Sequence, residues 1–224
     1  MKSAIVLLSS GLDSTVAFKK TYDECKKILC LTFDYGQKAR YKEIEYSSMV
    51  CKIFKVNHEI IKLPWYYNFK GALTNSTEIP TPKESELGLQ TAKQVWVPAR
   101  NLVFLSIASA FAENYNYEYI VTGFDLEEAE TFPDNSLQFI ESMNNTLKLG
   151  TFSNPKIYAP LVSLNKSEII KLGIKINATL EWSWSCYTSR EIPCGKCESC
   201  LRRKKAFKSA GVQDPLLSKL GVNT

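Results

Sequence analysis

The sequence predicts an α/β fold in which a parallel β-sheet carries helices on both faces. Short apolar runs alternate with segments of helical composition along most of the 224 residues, and strands that alternate with helices need crossover connections, which make neighbouring strands parallel. The apolar runs also lack regular alternation with polar residues, as expected of strands that are covered on both sides. A chain of this length can bury one full core with an appendage.

We expect the elements in a simple order along the chain. Strands are predicted at residues 3–8, 27–33, 58–63 and 119–122, and helices at residues 13–20, 41–54, 99–114, 136–149 and 167–172. Residues 64–94 contain prolines, threonines and aromatic residues without periodicity, and a stretch of this length is typical of a loop that covers a substrate. The composition changes at residue 177, so we predict an α/β domain at 1–176 and a small module at 177–224.

The composition excludes several classes of protein. Hydrophobic residues make up 45% and charged residues 23% of the chain, which excludes a disordered or fibrous protein. The net charge of +5 suits an anionic substrate but is too small to indicate a nucleic-acid partner, so no direct nucleic-acid binding is expected. The first apolar stretch is shorter than a signal-peptide core or a membrane span, so we expect a cytoplasmic protein with no membrane partner.

The segment between the first strand and the first helix has the features of a phosphate-binding turn. It consists of Leu8, Ser9, Ser10, Gly11, Leu12, Asp13, Ser14 and Thr15. Backbone N–H groups and the positive end of the helix dipole converge there, and Ser14 and Thr15 add hydroxyl donors. Asp13 would repel a phosphate unless it bound a cation, so we predict that it binds Mg²⁺. The alternative is that Ser10 and Asp13 only cap the helix.

This phosphate turn lacks the GxxxxGK motif of Walker-type sites and the GxGxxG motif of dinucleotide sites, which argues against both. It resembles instead the turn of the PP-loop ATP pyrophosphatases, whose fingerprint is Ser-Gly-Gly-x-Asp-Ser. Ser10 stands where that fingerprint has its first glycine. A serine at this place must adopt backbone angles that glycine takes freely.

Four of the seven cysteines lie close together near the carboxyl end of the sequence. They are Cys186, Cys194, Cys197 and Cys200. Four thiolates with this spacing suit tetrahedral Zn²⁺, and a closed set of four ligands indicates a structural metal. An iron–sulfur cluster is the alternative, although the later cysteine and proline of ferredoxin-like runs are missing. The basic run at residues 202–205 is interpreted as a solvated helix face that balances the thiolate charge, rather than as an RNA-binding patch.

The two motifs and several segments between them resemble the 7-cyano-7-deazaguanine synthase family over most of the chain. The matching segments are the phosphate turn, Asp34-Tyr35-Gly36-Gln37, Val97-Pro98-Ala99-Arg100-Asn101, Pro133-Asp134 and Trp184-Ser185-Cys186-Tyr187. The chain departs from the family after Asp134, where Asn135 and Ser136 replace the cysteine and arginine of the more familiar members. This departure predicts a divergent, archaeal branch.

The resemblance implies a Rossmann-like PP-loop domain with a carboxy-terminal zinc module, in a homodimeric enzyme. The implied reaction converts 7-carboxy-7-deazaguanine, ammonia and ATP into 7-cyano-7-deazaguanine through an adenylated acid and an amide. The product would feed the modified tRNA bases queuosine and archaeosine. We expect the ammonia to come from solution or from a partner.

The resemblance and the residue types together suggest roles for individual residues. ATP is expected at Leu8, Ser9, Ser10, Gly11, Leu12, Asp13, Ser14, Thr15, Thr32, Phe33, Tyr35 and Arg100, and the heterocycle at Gln37, Asn101, Gly123 and Asp134. Asp13 and Arg100 are the predicted catalytic residues. A surface ion pair is the alternative for Arg100, and a helix N-cap is the alternative for Asp134. Lys166 is a weaker candidate for phosphate binding, and His58 is expected to be structural.

Two other functions would use the same features. A PP-loop tRNA thiolase would adenylate a tRNA base and deliver sulfur through cysteines or an iron–sulfur cluster. A nucleotide-binding RNA adaptor would use the basic carboxy-terminal helix and would have no turnover. Visible colour or a requirement for tRNA would favour the thiolase, and pyrophosphate release that depends on the deazaguanine acid would exclude the adaptor.

Overall fold

A five-stranded parallel sheet forms the centre of the computed structural model, which describes residues 1–74 and 78–222. Its strands are β1 (Ser3–Leu7), β2 (Lys27–Asp34), β3 (Asn57–Lys62), β4 (Tyr119–Val121) and β5 (Lys156–Tyr158). The strand order is β3-β2-β1-β4-β5, so the chain builds the sheet from β1 first to one side and then to the other. Ligands of open parallel sheets bind at the carboxyl ends of the strands where the order reverses, which here is beside β1.

Helices cover both faces of the sheet, which confirms the predicted fold class. In chain order they are α1 (Leu12–Glu24), α2 (Arg40–Phe54), α3 (Leu89–Gln94), α4 (Arg100–Tyr115), α5 (Leu126–Thr131), α6 (Leu137–Gly150), α7 (Lys166–Lys175), α8 (Glu198–Ala210) and α9 (Pro215–Lys219), with 3₁₀ turns at Pro64–Asn68, Glu84–Glu86, Pro133–Asn135 and Leu180–Trp182. On one face, Leu105 of α4 and Met143 of α6 share a buried cluster with Ile5. On the other face, α1, α2, α7 and α8 pack around Ala4 and Val6. Among the described helices, none has the length and apolar character that crossing a membrane requires.

The predicted strands and helices are all present among the described residues, with shifted ends. The strands and α-helices not predicted outside residues 64–94 are β5, α5 and α9, which have three, six and five residues. Segments this short do not develop a periodic pattern.

The segment at residues 64–94 is more ordered than the predicted loop. It contains two 3₁₀ turns and α3, while residues 75–77 lie outside the described part of the chain. Tyr66 is completely buried, and its hydroxyl donates a hydrogen bond to the carbonyl of Pro98 at 2.8 Å. Leu73 joins the same core. The expectation of an irregular loop is therefore wrong for these parts, because their large side chains are anchored in the core.

The carboxy-terminal segment packs against the sheet. Leu180 and Phe207 belong to the same buried cluster as Val6. The backbone N–H of Trp184 donates a hydrogen bond to the carbonyl of Ser10 at 2.7 Å. The segment therefore closes one side of the phosphate turn.

The basic run of α8 is only partly solvated. Arg203 is 7% exposed and donates hydrogen bonds to the carboxylate of Asp214 at 2.6 and 2.7 Å. Arg202 pairs with Glu198 at 2.9 Å. The prediction of a solvated face is therefore wrong for the two arginines, because this side of α8 faces inward, whereas Lys204 and Lys205 are exposed.

Candidate active site

A cavity of about 260 Å³ lies at the carboxyl ends of β1, β2 and β4. The predicted site residues that line it are Leu8, Ser9, Gly11, Leu12, Asp13, Ser14, Phe33, Tyr35, Arg100, Asn101, Gly123 and Asp134. The carboxy-terminal segment adds Trp184, Ser185, Tyr187, Glu198, Arg202 and Arg203. A concave site lined by apolar walls and a few converging charged groups is typical of small-molecule binding.

Ser10 supports the phosphate turn from inside the protein. Its φ is 58°, so a serine does adopt the backbone angles that glycine favours. Its hydroxyl is buried without a hydrogen-bond partner among the described residues. Helix α1 begins without a side-chain cap in the described chain, so the interpretation of Ser10 and Asp13 as simple helix caps is wrong.

Thr15 also faces away from the cavity. It is completely buried, and its hydroxyl donates a hydrogen bond to the carbonyl of Gly11 at 2.9 Å. Thr15 therefore has no hydroxyl donor left for a phosphate in this structure. The side chains of the turn that do reach the cavity include Ser9 and Ser14, whose Oγ atoms are 3.2 Å apart.

The end of β4 lies directly against the phosphate turn, and Gly123 makes this approach possible. A Cβ on Gly123 would lie 2.7 Å from the backbone nitrogen of Ser14 and 3.0 Å from the carbonyl carbon of Asp13. A side chain at this position would force the two backbones apart. Gly123 lines the cavity, and its role in this structure is to let the end of β4 pack against the phosphate turn.

Lys166 lies at the centre of three carboxylates, a group that we call the Lys166 cluster. Its Nζ lies 2.7 Å from Asp13, 2.8 Å from Asp125 and 3.0 Å from Glu128. Burial by itself lowers the pKa of Lys166, but the three carboxylates raise it well above its ordinary value. Burial, followed by the neighbouring carboxylates, raises the pKa of Asp125 to about 7. The cation that Asp13 meets in this structure is therefore an ammonium group of the protein.

Asp125 and Glu128 are not among the residues that the sequence predicts for the site. Asp125 caps α5, since its Oδ1 accepts a hydrogen bond from the backbone N–H of Glu128 at 3.0 Å. An aspartate followed three residues later by a glutamate is a known sequence signal for the start of a helix. It indicates a helix start but does not indicate a contact with Lys166.

Arg100 begins α4 and lies near the aromatic ring of Tyr35. Its Nη1 is 3.3 Å from the Tyr35 hydroxyl. Burial by itself lowers the pKa of Arg100, but Tyr35 and nearby carboxylates raise it, so the guanidinium stays charged. The salt bridges of the described residues do not include Arg100, so the alternative of a surface ion pair is wrong. A cation in this position is available to an anionic ligand.

Asp134 and Asn101 lie side by side on the cavity wall. The Asn101 side chain donates a hydrogen bond to the carbonyl of Asp134 at 3.5 Å, and burial raises the pKa of Asp134. Ser136 caps α6, because its hydroxyl accepts a hydrogen bond from the N–H of Phe139 at 3.1 Å. The alternative of Asp134 as the helix N-cap is therefore wrong.

Thr32 lies behind the cavity wall. Its hydroxyl donates a hydrogen bond to the carbonyl of Leu8 at 2.6 Å and is 2.8 Å from Nε2 of His58. These contacts tie neighbouring strands together, as expected for a structural histidine. Thr32 has no side-chain contact with the cavity, although it was predicted to contact ATP.

Gln37 also lies behind the wall, and it positions Glu43, a cavity residue that is not among the predicted site residues. It is 2% exposed, and its Nε2 donates hydrogen bonds to Glu43 and to the carbonyl of Phe33, both at 2.8 Å. Glu43, in the first turn of α2, lines the cavity. Gln37 was predicted to bind the heterocycle, but its amide is used to hold Glu43.

Burial raises the pKa of Glu43 to about 7. The hydrogen bond from Gln37 and the charge of Arg100 lower this pKa, and the nearby carboxylate of Asp34 raises it. Glu43 therefore titrates near neutral pH. A carboxylate of this kind can exchange protons with a ligand in the cavity.

The four predicted cysteine ligands come together beside the cavity. Their Sγ atoms all lie within 4.8 Å of one another, and those of Cys194 and Cys200 are 3.9 Å apart. Tetrahedral Zn–S bonds of about 2.3 Å place two sulfur atoms about 3.8 Å apart. The backbone N–H of Cys194 donates a hydrogen bond to Sγ of Cys186 at 3.3 Å. The group therefore fits a single tetrahedral metal ion.

Comparison with known proteins identifies close relatives over nearly the whole chain. The model of a family described as queuosine biosynthesis protein QueC matches residues 3–211. A protein of Methanosarcina barkeri is 47% identical over 229 residues, covering 98% of this chain and 99% of the relative. One of Methanobrevibacter smithii is 50% identical over 220 residues, covering 96% of both. Both are named 7-cyano-7-deazaguanine synthase, and most relatives at this level are archaeal, as predicted.

Solved structures share the fold at much lower identity. The U34-tRNA thiolase NcsA from Methanococcus maripaludis with its 4Fe-4S cluster has a TM-score of 0.52 and 14% identity, over 98% of this chain and 66% of that chain. NMN synthetase from Francisella tularensis has a TM-score of 0.50 and 14% identity, over 98% of this chain and 82% of that chain. These likenesses show the fold alone. The family model and the near-full-length relatives show more: this chain belongs to the QueC family of queuosine biosynthesis proteins.

Proposed function

We propose that this protein is a 7-cyano-7-deazaguanine synthase, which uses ATP to convert 7-carboxy-7-deazaguanine and ammonia into the nitrile. The observation that carries the proposal is the single cavity in which the phosphate turn, Arg100 and the Lys166 cluster meet. Relatives of that name with 47% and 50% identity over nearly the full chain support it. The product would serve the synthesis of queuosine and archaeosine in tRNA.

In this proposal ATP binds with its phosphates at the turn. The hydroxyls of Ser9 and Ser14 and the amino end of α1 face this part of the cavity, where the helix dipole favours anions. Phe33 and its apolar neighbours offer a wall for adenine. Arg100 can neutralise charge on the α-phosphate and on the carboxylate of the substrate.

Asp13 is the carboxylate of the Lys166 cluster that would bind a magnesium ion accompanying ATP, because Lys166 pairs with its Oδ2 and leaves its Oδ1 without a partner among the described residues. Oxygens of Asp13, Asp125 and Glu128 lie within 4.8 Å of one another. Oxygen-only ligand sets suit Mg²⁺. When bound, Mg²⁺ would neutralise negative charge on the phosphates.

The chemistry requires two activations of the same carbon. A carboxylate oxygen does not leave in water, but its attack on the α-phosphorus of ATP releases pyrophosphate and forms an anhydride. Ammonia displaces AMP from this anhydride and gives the amide. A second ATP adenylates the amide oxygen, and AMP leaves as the nitrile forms. One cavity can serve both rounds, because the reacting carbon keeps its place relative to the phosphates.

We assign the four cysteines to one structural Zn²⁺ per chain in a homodimer. The Sγ separation of 3.9 Å between Cys194 and Cys200 fits direct binding to one metal. A four-iron cluster, in which each cysteine binds a different iron atom, needs a wider separation. A closed zinc site would hold the segment that contributes Trp184 and Tyr187 to the cavity.

A tRNA thiolase is not favoured for this chain. The likeness to a thiolase extends to the fold but not to high sequence identity. We expect a colourless protein that works without tRNA. Absorption in the visible range or a strict requirement for tRNA would contradict this expectation.

The proposal is tested by incubating purified protein with ATP, Mg²⁺, ammonium and 7-carboxy-7-deazaguanine. Mass spectrometry should detect first the amide and then the nitrile, and the nucleotide product should be AMP. Asp13→Ala should abolish AMP formation while the zinc content stays unchanged. Asp23→Ala, an exposed change on the same helix, is the matched control and should keep the wild-type rate. Formation of ADP alone, or equal AMP formation by the Asp13 variant, would overturn the proposal.

A further inference from the structure

The ammonia that this reaction consumes reaches the protein mostly as ammonium at neutral pH. Ammonium has no lone pair and cannot attack an acyl adenylate. The cavity therefore needs a group that removes one proton close to the reacting carbon. This inference rests on the proposed function and concerns the group that does so.

Most carboxylates of the cavity already have strong partners. Those that line it are Asp13, Glu43, Glu128, Asp134 and Glu198. Lys166 neutralises two of them, and Arg202 pairs with Glu198 at 2.9 Å. Asp134 accepts a hydrogen bond from the side chain of Asn135 at 3.0 Å and lies on the wall where we expect the heterocycle. Glu43 is the remaining candidate.

Glu43 is held in place but is not neutralised by an ion pair. Its Oε2 accepts a hydrogen bond from the uncharged amide of Gln37 at 2.8 Å. Gln37 is itself fixed, because its Oε1 accepts a hydrogen bond from the N–H of Tyr35 at 3.0 Å. Within the described residues, the structure records no donor to the other oxygen of Glu43. That oxygen is free for a donor in the cavity.

The charged surroundings of Glu43 are balanced. Arg100 is the cation that acts on it, Asp34 is the nearby anion, and the buried Tyr35 hydroxyl interacts with both Glu43 and Arg100. Burial outweighs these effects and keeps the pKa near neutrality, at about 7. Near pH 7 the group is partly a carboxylate, and it is basic enough to take a proton from a bound donor.

We propose that Glu43 binds ammonium in the cavity and accepts one of its protons, so that ammonia forms beside the acyl adenylate. The nitrogen lone pair then forms the C–N bond, the bond between the acyl carbon and AMP oxygen breaks, and AMP leaves with that electron pair. The added nitrogen loses a further proton to water and becomes the neutral amide. Glu43 returns its proton to solvent before the next turnover.

The test compares two nucleophiles in the Glu43→Gln variant, which keeps the size of the side chain and removes the base. With ammonium at neutral pH, amide formation should fall about 100-fold, a typical contribution of a general base. Hydroxylamine is uncharged at this pH and needs no deprotonation before attack. Hydroxamate formation from the same adenylate should therefore stay close to the wild-type rate, which also shows that the variant is folded.

A pH series and a control variant complete the test. The defect with ammonium should shrink as the pH rises, because solution then supplies free ammonia. Glu45→Gln changes an exposed residue of the same helix that pairs with Lys42, and it should match the wild type in every assay.

Three results would overturn the assignment or its basis. If Glu43→Gln loses both nucleophile reactions equally, Glu43 has a structural or substrate-binding role instead. If it keeps both reactions at neutral pH, Glu43 is not the proton acceptor. If the wild-type protein forms no acyl adenylate with the deazaguanine acid, the proposed function itself has failed and this assignment fails with it.

Discussion

The cysteine group and the cavity beside it are assembled in opposite ways. The cysteine group takes its four ligands from one short stretch, residues 186–200. The cavity takes its residues from the phosphate turn, the end of β2, the start of α4, the start of α7 and the carboxy-terminal segment. A site with local spacing can be recognised in the sequence, whereas the contacts of a site with distant contributors depend on how the sheet and helices pack.

The two regions also handle negative charge differently. The cysteine group offers four sulfur ligands that fit an external metal ion. The Lys166 cluster supplies its own cation, which contacts all three of its carboxylates within 3.0 Å. Removing one ligand should therefore change metal content in the first region, and removing the lysine should leave unpaired buried charges in the second.

The largest expected effect is that of Cys197→Ser, which tests the local site. Metal binding by small cysteine-rich sites contributes on the order of 10 kcal/mol to the free energy of folding at neutral pH. Removing any one of the four ligands should lose part of this contribution. Zinc measured by atomic spectroscopy should fall from one per chain to near zero, and the thermal unfolding midpoint should fall with it. Cys25→Ser, outside the group, is the matched control and should keep the zinc. Full zinc content in the Cys197 variant would contradict our assignment of the ligands.

The next effect in size is that of Lys166→Met, which tests the site built from distant residues. Removing one partner of a buried charge network costs about 3–5 kcal/mol, because the carboxylates are left without a cation. Urea denaturation should show this loss, AMP formation should disappear, and the zinc content should stay at the wild-type level. The loss of stability should shrink as the pH falls, since the carboxylates can then be protonated.

Lys171→Met, an exposed change on the same helix, is the control for this variant and should behave as the wild type. Loss of zinc from the Lys166 variant would show that the two regions are not independent. Unchanged stability would show that the three carboxylates are not charged in the folded protein.

The smallest expected effect is a gain in stability from Ser10→Gly. Ser10 has a left-handed backbone with φ of 58°, which costs roughly 1 kcal/mol for a residue with a Cβ. Its buried hydroxyl also lacks a partner among the described residues. Glycine removes both penalties, so the free energy of unfolding should rise by about 1 kcal/mol, as measured by urea denaturation.

Ser9→Gly is the matched control in the same turn. The Ser9 hydroxyl accepts a hydrogen bond from the N–H of Gly11 at 3.3 Å, so its removal should bring no gain. A loss of stability in Ser10→Gly would mean that the Ser10 hydroxyl has a partner after all.

Periodicity was sufficient to predict most of the sheet and its helices. The strands β1 and β2 are continuous apolar runs because both faces of the sheet are covered, and such runs can be recognised without tertiary information. Periodicity was not sufficient to predict β5, which has three residues, or the helix and 3₁₀ turns within residues 64–94. Large side chains such as Tyr66 order that segment through contacts with distant residues.

Spacing along the chain alone was enough to single out the turn at residues 8–15 as a candidate phosphate site and the four cysteines as a candidate metal site, because each depends on residues that are neighbours in the sequence. Folding in three dimensions decided that Lys166 neutralises Asp13 and that Gln37 supports Glu43 from behind the cavity wall. A charge or amide that loses water on burial must find a partner wherever the packed sheet and helices provide one. Local spacing does not constrain where along the chain that partner lies.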